Sequence, residues 1–240
     1  MTAYEQLQAW ISESGNIVFF GGAGVSTESG IKDFRSVDGL YRECYDYPPE
    51  TILSHTFFME RPEEFYRFYH DKMICPHVKP NAAHLKLAEL ERAGKLKAVI
   101  TQNIDGLHQA AGSRTVYELH GSTHRNHCMK CRQFYDLDFV DRAEGVPYCP
   151  VCGGMVKPDV VLYEEGLDQE TMEASILAIN RADVLIVGGT SLVVYPAAGL
   201  INYYRGNKLV LINRDPTPYD KKADLVIHDP IGKVLGSMIV

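Results

Sequence analysis

A short apolar run that ends in glycines constrains the fold of this chain more than any other feature. Residues 17–20 read Ile-Val-Phe-Phe and are followed by Gly21-Gly22-Ala23-Gly24. Glycines at a strand end permit a tight turn, and without a Cβ they let backbone N–H groups close on a phosphate. The pattern predicts a buried strand that ends in a phosphate-binding loop. An ordinary strand-to-helix turn is the alternative, because Thr27 replaces the third glycine of the common dinucleotide fingerprint.

The residues after the glycines favour a ligand site over a structural turn. Ser26, Thr27 and Ser29 can donate to phosphate or ribose. Just beyond them, Asp33-Phe34-Arg35 supplies an acid, an aromatic ring and a guanidinium. A turn with only a structural role has no need of that trio.

Composition and charge exclude several classes of protein. The chain has 240 residues, of which 45% are hydrophobic, so it can bury one large core, or a main core and a small satellite. A formal net charge of -7 argues against a general nucleic-acid binder. We find no apolar run as long as a membrane span and no signal-peptide pattern at the amino terminus. These features predict a cytoplasmic protein without nucleic-acid or membrane partners, and they leave the oligomeric state open, a monomer included.

Other apolar runs also end in polar residues, and this repeated pattern of strand, polar end and helix predicts a doubly wound parallel sheet. Residues 97–101 are followed by Gln102-Asn103-Ile104-Asp105. Residues 184–187 are followed by Gly188-Gly189-Thr190-Ser191, and residues 209–212 are followed by Asn213. Open α/β sheets bind ligands at the carboxyl ends of their strands, so Asn103 and Asp105 are candidate site residues. Capping of the following helix is the alternative for either residue alone.

A histidine follows one further strand. Residues 116–119 predict a strand that ends in His120-Gly121. A lone histidine is usually structural, but an exposed imidazole at a strand end can take a proton from a substrate near neutral pH. His120 is therefore a candidate general base.

Four cysteines occur as two Cys-x-x-Cys pairs. Cys128 and Cys131 form the first pair, and Cys149 and Cys152 the second. This spacing predicts one structural zinc ion held by four thiolates, with no position left for a catalytic water. Four unrelated buried cysteines are the alternative, and they would not account for the pairing.

In their order and spacing these motifs resemble the sirtuin family. The matching segments are 22–26, 29–31, 33–35, 101–108, 120–121, the paired cysteines and 189–192. The resemblance implies an α/β fold with a Rossmann-like doubly wound parallel sheet and an inserted, smaller helical plus zinc-binding module. It assigns residues 1–35, 81–121 and 158–240 to a discontinuous NAD-binding domain. It assigns residues 36–80 and 122–157 to the helical and zinc parts of the small module.

The resemblance also implies NAD-dependent deacylation of lysine. The acyl oxygen attacks C1′ of the nicotinamide ribose, nicotinamide leaves, and His120 acts as general base on a ribose hydroxyl on the way to O-acyl-ADP-ribose and free lysine. NAD is thus consumed as a co-substrate. Proteins or peptides that carry acetyl-lysine are the implied partners, and Asn103 would orient ribose or water.

Positions that match the family's contacts are implied to bind the ligands. For NAD they are Ala23, Gly24, Thr27, Asp33, Phe34, Arg35, Gln102, Ile104, Asp105, His120, Gly189, Thr190, Ser191, Asn213 and Ile231. Within this set, Ile104 and Asp105 would receive the nicotinamide carboxamide. The segment Val160, Val161, Leu162 and Tyr163 would add a strand edge to the substrate peptide.

Two positions depart from the family pattern. Lys32 stands where proline is usual, and Glu164 where glycine is usual. We expect altered peptide preference rather than lost chemistry.

Two tyrosines bear on the choice of acyl group. Family members that favour succinyl place a tyrosine and an arginine three residues apart on one helix face, toward the acyl group. Tyr66 and Tyr69 occupy those places here, so a succinyl carboxylate would lack a cation and neutral acyl groups are expected to be preferred. If both tyrosines are core residues, they carry no information on the acyl pocket.

Two other functions compete with deacylation. A protein mono-ADP-ribosyltransferase would use the same NAD site and the same electrophilic carbon. A non-catalytic zinc-ribbon adaptor would leave His120 and Asp105 without a role.

Overall fold

A six-stranded parallel sheet lies at the centre of the larger part of the protein. The computed structural model describes residues 1–34, 39 and 46–240. The strands are β1 (Ile17–Gly21), β2 (Leu96–Thr101), β3 (Val116–Glu118), β4 (Gly121–Cys128), β5 (Phe134–Tyr135), β6 (Val156–Val160), β7 (Val184–Gly188), β8 (Leu209–Ile212) and β9 (Leu225–Ile227). The helices are α1 (Ala3–Glu13), α2 (Pro49–Ile52), α3 (His55–Glu60), α4 (Pro62–Lys72), α5 (Ala82–Arg92), α6 (Leu107–Ala110), α7 (Leu137–Asp141), α8 (Gln169–Arg181) and α9 (Ile231–Gly236). Among these described helices, none has the length and apolar character needed to cross a membrane.

The strand order of the large sheet places a switch point between β1 and β7. The order is β3-β2-β1-β7-β8-β9, and every neighbouring pair is parallel. From β1 the chain builds outward through β2 and β3, and later through β7, β8 and β9 on the other side. Ligands of open α/β sheets bind where the order reverses, beyond the carboxyl ends of the strands. The predicted doubly wound, Rossmann-like sheet is confirmed.

Side chains of the central strands alternate between two hydrophobic cores. Phe19 of β1 faces a core formed with α1, α5 and α9, whereas Phe20 faces a core formed with α8 and the 3₁₀ turn Ala197–Tyr203. This alternation follows from the two-residue period of a strand, and burial of both faces explains why β1 is apolar throughout. Helices cover both faces, so the sheet offers its strand ends to ligands.

A second sheet belongs to the smaller module. Its antiparallel order is β5-β4-β6, and α2, α3 and α4 share a third hydrophobic core with it. Strand β6 ends at Val160, and beyond it the Leu162 N–H donates to the Glu165 carboxylate (2.9 Å) rather than to a neighbouring strand. The helical plus zinc-binding module is confirmed, and its boundaries at 35/36, 80/81, 121/122 and 157/158 stay predictions.

Two histidines pack against each other inside the large domain. His84 on α5 and His108 on α6 have ring centroids 4.7 Å apart, and Phe19 and Asp105 lie nearby. Within the described residues, His84 Nε2 and both ring nitrogens of His108 lack hydrogen-bond partners. Burial lowers the pKa of His108 to about 3 and that of His84 to about 4, although the charge of Asp105 opposes the shift of His84. Both rings are therefore neutral at pH 7.

We predict that the free energy of unfolding falls as the pH drops from about 6.5 toward 4. In that window the histidines bind protons in the unfolded protein but not in the folded one. Each histidine therefore lowers the free energy of unfolding by about 1.4 kcal/mol for every unit that the pH falls. His108→Leu removes one of the two groups and should flatten the slope. Urea unfolding at several pH values measures this, with the exposed His77→Gln as control. Identical slopes for His108→Leu and wild type would contradict the assignment.

Candidate active site

One cavity of about 590 Å³ lies beyond the carboxyl ends of β1, β2, β7 and β8. It is lined by all the described positions that the family resemblance assigns to NAD: Ala23, Gly24, Thr27, Asp33, Phe34, Gln102, Ile104, Asp105, His120, Gly189, Thr190, Ser191, Asn213 and Ile231. Arg35 lies outside the described residues. The small module reaches the same cavity through Leu53, Lys72 and Met73, and residues 160–163 line it as well. The cavity is thus at the switch point of the sheet and between the two parts of the protein.

The glycine loops after β1 and β7 form a joined floor. The Gly24 N–H donates to the Gly189 carbonyl (2.8 Å), and a Cβ on Gly24 would lie only 2.8 Å from Gly189 Cα. Gly189 also has φ +59°, a left-handed conformation that favours glycine. Glycine at both positions is therefore a steric requirement of this contact.

Asn213 extends the floor to the end of β8. Its Oδ1 accepts from the Thr190 N–H, and its Nδ2 donates to the Thr190 carbonyl, both at 2.9 Å. The Thr190 hydroxyl in turn accepts from Gln102 Nε2 (3.2 Å). Three strand ends are linked in this way without any ligand.

Ser26 organises the polar end of the cavity. Its buried hydroxyl donates to Asp105 Oδ2 (2.6 Å) and accepts from Asn103 Nδ2 (3.1 Å). Asp105 Oδ1 accepts from the Leu107 N–H (2.9 Å), so the carboxylate contacts the first residue of α6 as well as lining the cavity. The sequence indicates Ser26 as a donor to phosphate or ribose. In the structure its single hydroxyl hydrogen is directed to Asp105 instead.

His120 is held in one tautomer. Its Nδ1 lies 3.0 Å from the Gln102 carbonyl oxygen, and because a carbonyl only accepts, Nδ1 carries the proton. Nε2 of the neutral ring therefore has a free lone pair. Burial lowers the pKa of His120, and the bond to Gln102 opposes that shift. The ring is a neutral proton acceptor at pH 7.

Gly121 explains how the chain turns away after His120. It has φ +73°, and a Cβ there would overlap the Asp159 carbonyl oxygen of β6. The pairing of β4 with β6 thus starts at a position that only glycine fits, with His120 at the edge of the cavity.

The four predicted metal ligands come together in the small module. Their Sγ atoms all lie within 4.8 Å of one another, with Cys128 3.4 Å from Cys152 and Cys131 3.6 Å from Cys149. A tetrahedron of Zn–S bonds of about 2.3 Å requires similar sulfur separations. The donor set fits one structural zinc ion.

The surroundings of the sulfurs support the same conclusion. A Cβ on Gly154 would lie 2.9 Å from Cys128 Sγ, so glycine leaves room for the cluster. The N–H groups of Lys130 and Cys131 point at Cys128 Sγ (3.4 and 3.5 Å), and Tyr135 Oη lies 3.0 Å from Cys149 Sγ. Such contacts orient thiolate ligands around a metal.

Tyr66 and Tyr69 do not line the cavity, which corrects their predicted role in the acyl pocket. Both side chains have no exposed surface and pack with Phe58 and Phe65 in the core of the small module. The Tyr66 hydroxyl donates to the Val156 carbonyl. The shared helix face that the sequence predicts exists, but it faces the core.

The segment from Val160 to Tyr163 lines the cavity, although much of its backbone is already paired. The Val161 N–H donates to the His120 carbonyl (3.0 Å). Tyr163 forms a parallel bridge with Ser54, through a donor bond to the Leu53 carbonyl and an acceptor bond from the His55 N–H. The free strand edge expected here is therefore partly occupied by the chain itself.

Lys32 and Glu164, the two departures from the family pattern, both line the cavity. Glu164 has φ +75°, the conformation that a glycine at this place would adopt. Its carboxylate accepts from the N–H and the hydroxyl of Thr56 (2.9 and 2.7 Å), and these bonds lower the pKa of Glu164. The left-handed backbone conformation of Glu164 thus occurs together with bonds from its carboxylate to Thr56 of α3.

Sequence reasoning missed part of the cavity wall. The additional lining residues include Glu28, Lys72, Met73, Cys75, Val194, Tyr195, Arg214 and Asp229. Glu28 and Arg214 adjoin predicted ligand residues, whereas the local sequence around the other six carries no ligand-binding pattern, so only packing reveals them. His124 lies behind this wall, where its Nε2 is 3.1 Å from the Asp105 carbonyl oxygen and its ring packs on Gly106.

The fold and the cavity define an α/β protein with a ligand site at the switch point of its parallel sheet and a four-cysteine metal site in its small module. Comparison with known proteins identifies the family. A profile described as the Sir2 family matches residues 22–196. The chain belongs to the Sir2 family.

Curated relatives and solved structures agree with this membership. A Clostridium acetobutylicum protein named "NAD-dependent protein deacetylase" is 62% identical over 237 residues, 98% of this chain and 97% of that protein. A Cutibacterium acnes protein of the same name is 56% identical over 236 residues, 98% and 96% of the two chains. A solved structure described as "Sir2-p53 peptide-NAD+" has a TM-score of 0.85 and 40% identity, and the match covers 98% and 96% of the two chains.

We predict that Cys149→Ala lowers the zinc content well below one ion per chain and lowers the melting temperature. Three thiolates hold the ion more weakly than four, and metal binding contributes to folding free energy. Elemental analysis and thermal unfolding measure the two effects, with Cys75→Ser as a control outside the cluster. A fully metallated, fully stable Cys149→Ala protein would refute the site.

Proposed function

We propose that the protein is an NAD-dependent protein-lysine deacetylase. It converts acetyl-lysine, NAD and water into free lysine, nicotinamide and O-acetyl-ADP-ribose. The observation that carries this proposal is His120, whose unprotonated Nε2 belongs to a ring on the same cavity as the joined glycine loops. The deacetylase named among the relatives, at 62% identity over nearly the whole chain, supports it.

The described cavity residues offer partners for each part of NAD. The glycine loops form the floor of the cavity, where a pyrophosphate would bind. Asn213 and Ile231 would hold the adenosine, and Ile104 and Asp105 the carboxamide. When bound, NAD supplies an electrophilic ribose carbon and nicotinamide as leaving group.

His120 and Asn103 carry the chemistry of this proposal. His120 accepts a proton at Nε2 from a ribose hydroxyl, and the bond from Nδ1–H to Gln102 both selects the tautomer and stabilises the imidazolium that forms. Asn103 is fixed by its bond to Ser26, and its backbone N–H donates to Thr101 Oγ1 (3.0 Å). A rigid amide can orient ribose or water without being ordered first.

The partner is a protein or peptide that carries acetyl-lysine. Residues 160–163 would contact it, and pairing there requires exchange of present bonds, such as that between the Leu162 N–H and Glu165. The solved Sir2 complex with a p53 peptide supports a peptide partner.

We further propose that neutral acyl groups are preferred over succinyl, for a reason other than the tyrosine pair. Carboxylates outnumber cations among the described cavity residues: Glu28, Asp33, Asp105, Glu164, Glu165, Asp215 and Asp229 against Lys32, Lys72 and Arg214. A succinyl carboxylate would enter a negative field, whereas an acetyl group would not.

A nicotinamide-release assay tests the activity. Release should require an acetyl-lysine peptide, and mass spectrometry should detect O-acetyl-ADP-ribose. Peptide that gains ADP-ribose instead would favour the mono-ADP-ribosyltransferase. No release under any condition would favour the non-catalytic adaptor.

His120→Ala should lower kcat by about 10²- to 10⁴-fold and leave NAD binding intact, because it removes only the base. In the wild type, the acid limb of the kcat/KM profile should lie below pH 6.5, since burial lowers the pKa of His120. His127→Gln serves as control. Turnover of His120→Ala above about a tenth of wild type would contradict a role of that size.

Tyr69→Arg should destabilise the protein without raising relative use of succinyl. The arginine would be an unpaired buried cation, a change that costs about 3–5 kcal/mol. Tyr69→Phe is the matched control and should be nearly neutral, because the Tyr69 hydroxyl has no partner among the described residues. The measurements are thermal unfolding and kcat/KM for acetylated and succinylated forms of one peptide. Efficient succinyl use by wild type would defeat the acyl preference.

A further inference from the structure

Glu28 joins two walls of the cavity that are far apart in sequence. It lies in the 3₁₀ turn Thr27–Ser29, directly after the glycine loop. Its Oε1 accepts from the Gly232 N–H of α9 at 2.6 Å, across 204 residues of sequence. A Cβ on Gly232 would lie 2.6 Å from Glu28 Oε2, so the carboxylate rests directly on the first turn of α9.

Both ends of this contact belong to the cavity. On the loop side Thr27 and Glu28 line it, and on the other side Asp229, Pro230 and Ile231 line it. Ile231, which begins α9, also packs against Gly188 at the end of β7. The Glu28 bond therefore determines how the first turn of α9 stands relative to the glycine loop.

The loop itself is anchored independently of Glu28. Asn81, at the start of α5, donates through Nδ2 to the Val25 carbonyl (2.7 Å) and to the Ser29 hydroxyl (3.0 Å). Val234 and Leu235 of α9 are buried in the core. Loss of the Glu28 bond should thus loosen a local junction and leave the fold in place.

We propose that Glu28 is a positioning residue that sets the affinity for NAD, an inference that rests on the proposed function. A carboxylate on a cavity that receives a pyrophosphate repels the ligand. Its charge alone would weaken binding, so any gain in affinity from Glu28 comes from its bond to Gly232. By holding α9 against the loop, Glu28 keeps Ile231 in place before the nucleotide arrives, and less ordering remains to oppose binding.

The direction in which nucleotide affinity changes in Glu28 variants distinguishes a positioning role from an effect of the charge. If Glu28 acts through its charge, both Glu28→Ala and Glu28→Gln tighten nucleotide binding. If it acts through the bond, Glu28→Ala weakens binding about tenfold, the usual effect of losing a hydrogen bond to a charged group. Glu28→Gln keeps an acceptor for the Gly232 N–H and should bind within about twofold of wild type or more tightly.

Gly232→Ala breaks the same contact from the other side. The added methyl would displace the flexible end of Glu28, while alanine itself suits a helix. We expect the same tenfold loss, and no further loss in the double variant with Glu28→Ala, because one interaction is removed twice.

The experiment measures calorimetric binding of ADP-ribose together with KM for NAD, KM for peptide, kcat and melting temperature. If Glu28 positions α9, Glu28→Ala and Gly232→Ala should each raise KM for NAD and weaken ADP-ribose binding. Their kcat and their KM for peptide should stay unchanged. The exposed Glu144→Ala is the control and should match wild type.

Several outcomes would overturn the inference. ADP-ribose binding by Glu28→Ala that equals or exceeds wild type would do so, as would a fall in kcat and melting temperature without a rise in KM for NAD. Failure of wild type to bind ADP-ribose would instead refute the proposed function.

Discussion

The close approach of Gly24 to Gly189 is the contact on which the site depends. Two parallel strands, β1 and β7, end side by side at the switch point, and their loops meet because neither residue has a Cβ. This contact brings the two glycine loops, Thr190 and Asn213 together in one cavity floor. A side chain at either glycine would separate the loops and open the floor, whatever the remaining residues were.

Around that floor, buried hydrogen bonds fix the polar groups before any ligand binds. Ser26 ties Asp105 to Asn103, and Gln102 selects the tautomer of His120. Desolvation then keeps His120 neutral, so one feature of the fold gives both the position and the protonation state of the proposed base. The zinc module contributes indirectly, because its strands β4 and β6 hold Gly121 and hence the turn that follows His120.

Most of the fold and much of the site could be predicted from sequence because the signals are local. Apolar runs with polar ends predict β1, β2 and β7, and the Cys-x-x-Cys spacing predicts a cluster that the structure assembles within 4.8 Å. Prediction failed where a side chain had two possible neighbours. The helix face that carries Tyr66 and Tyr69 could pack on the cavity or on the core, and aromatic burial directs it to the core.

The sequence by itself determined the strand ends, the glycines between them, the thiolate pairs and the candidate base, because each follows from residue type and short spacing. Only the tertiary structure decided which wall each side chain faces and how strongly it is desolvated. The packing of His84 on His108, the use of the Ser26 hydroxyl and the Glu28–Gly232 bond all join residues distant in sequence. Such contacts arise from packing across the whole chain, and no local pattern encodes them.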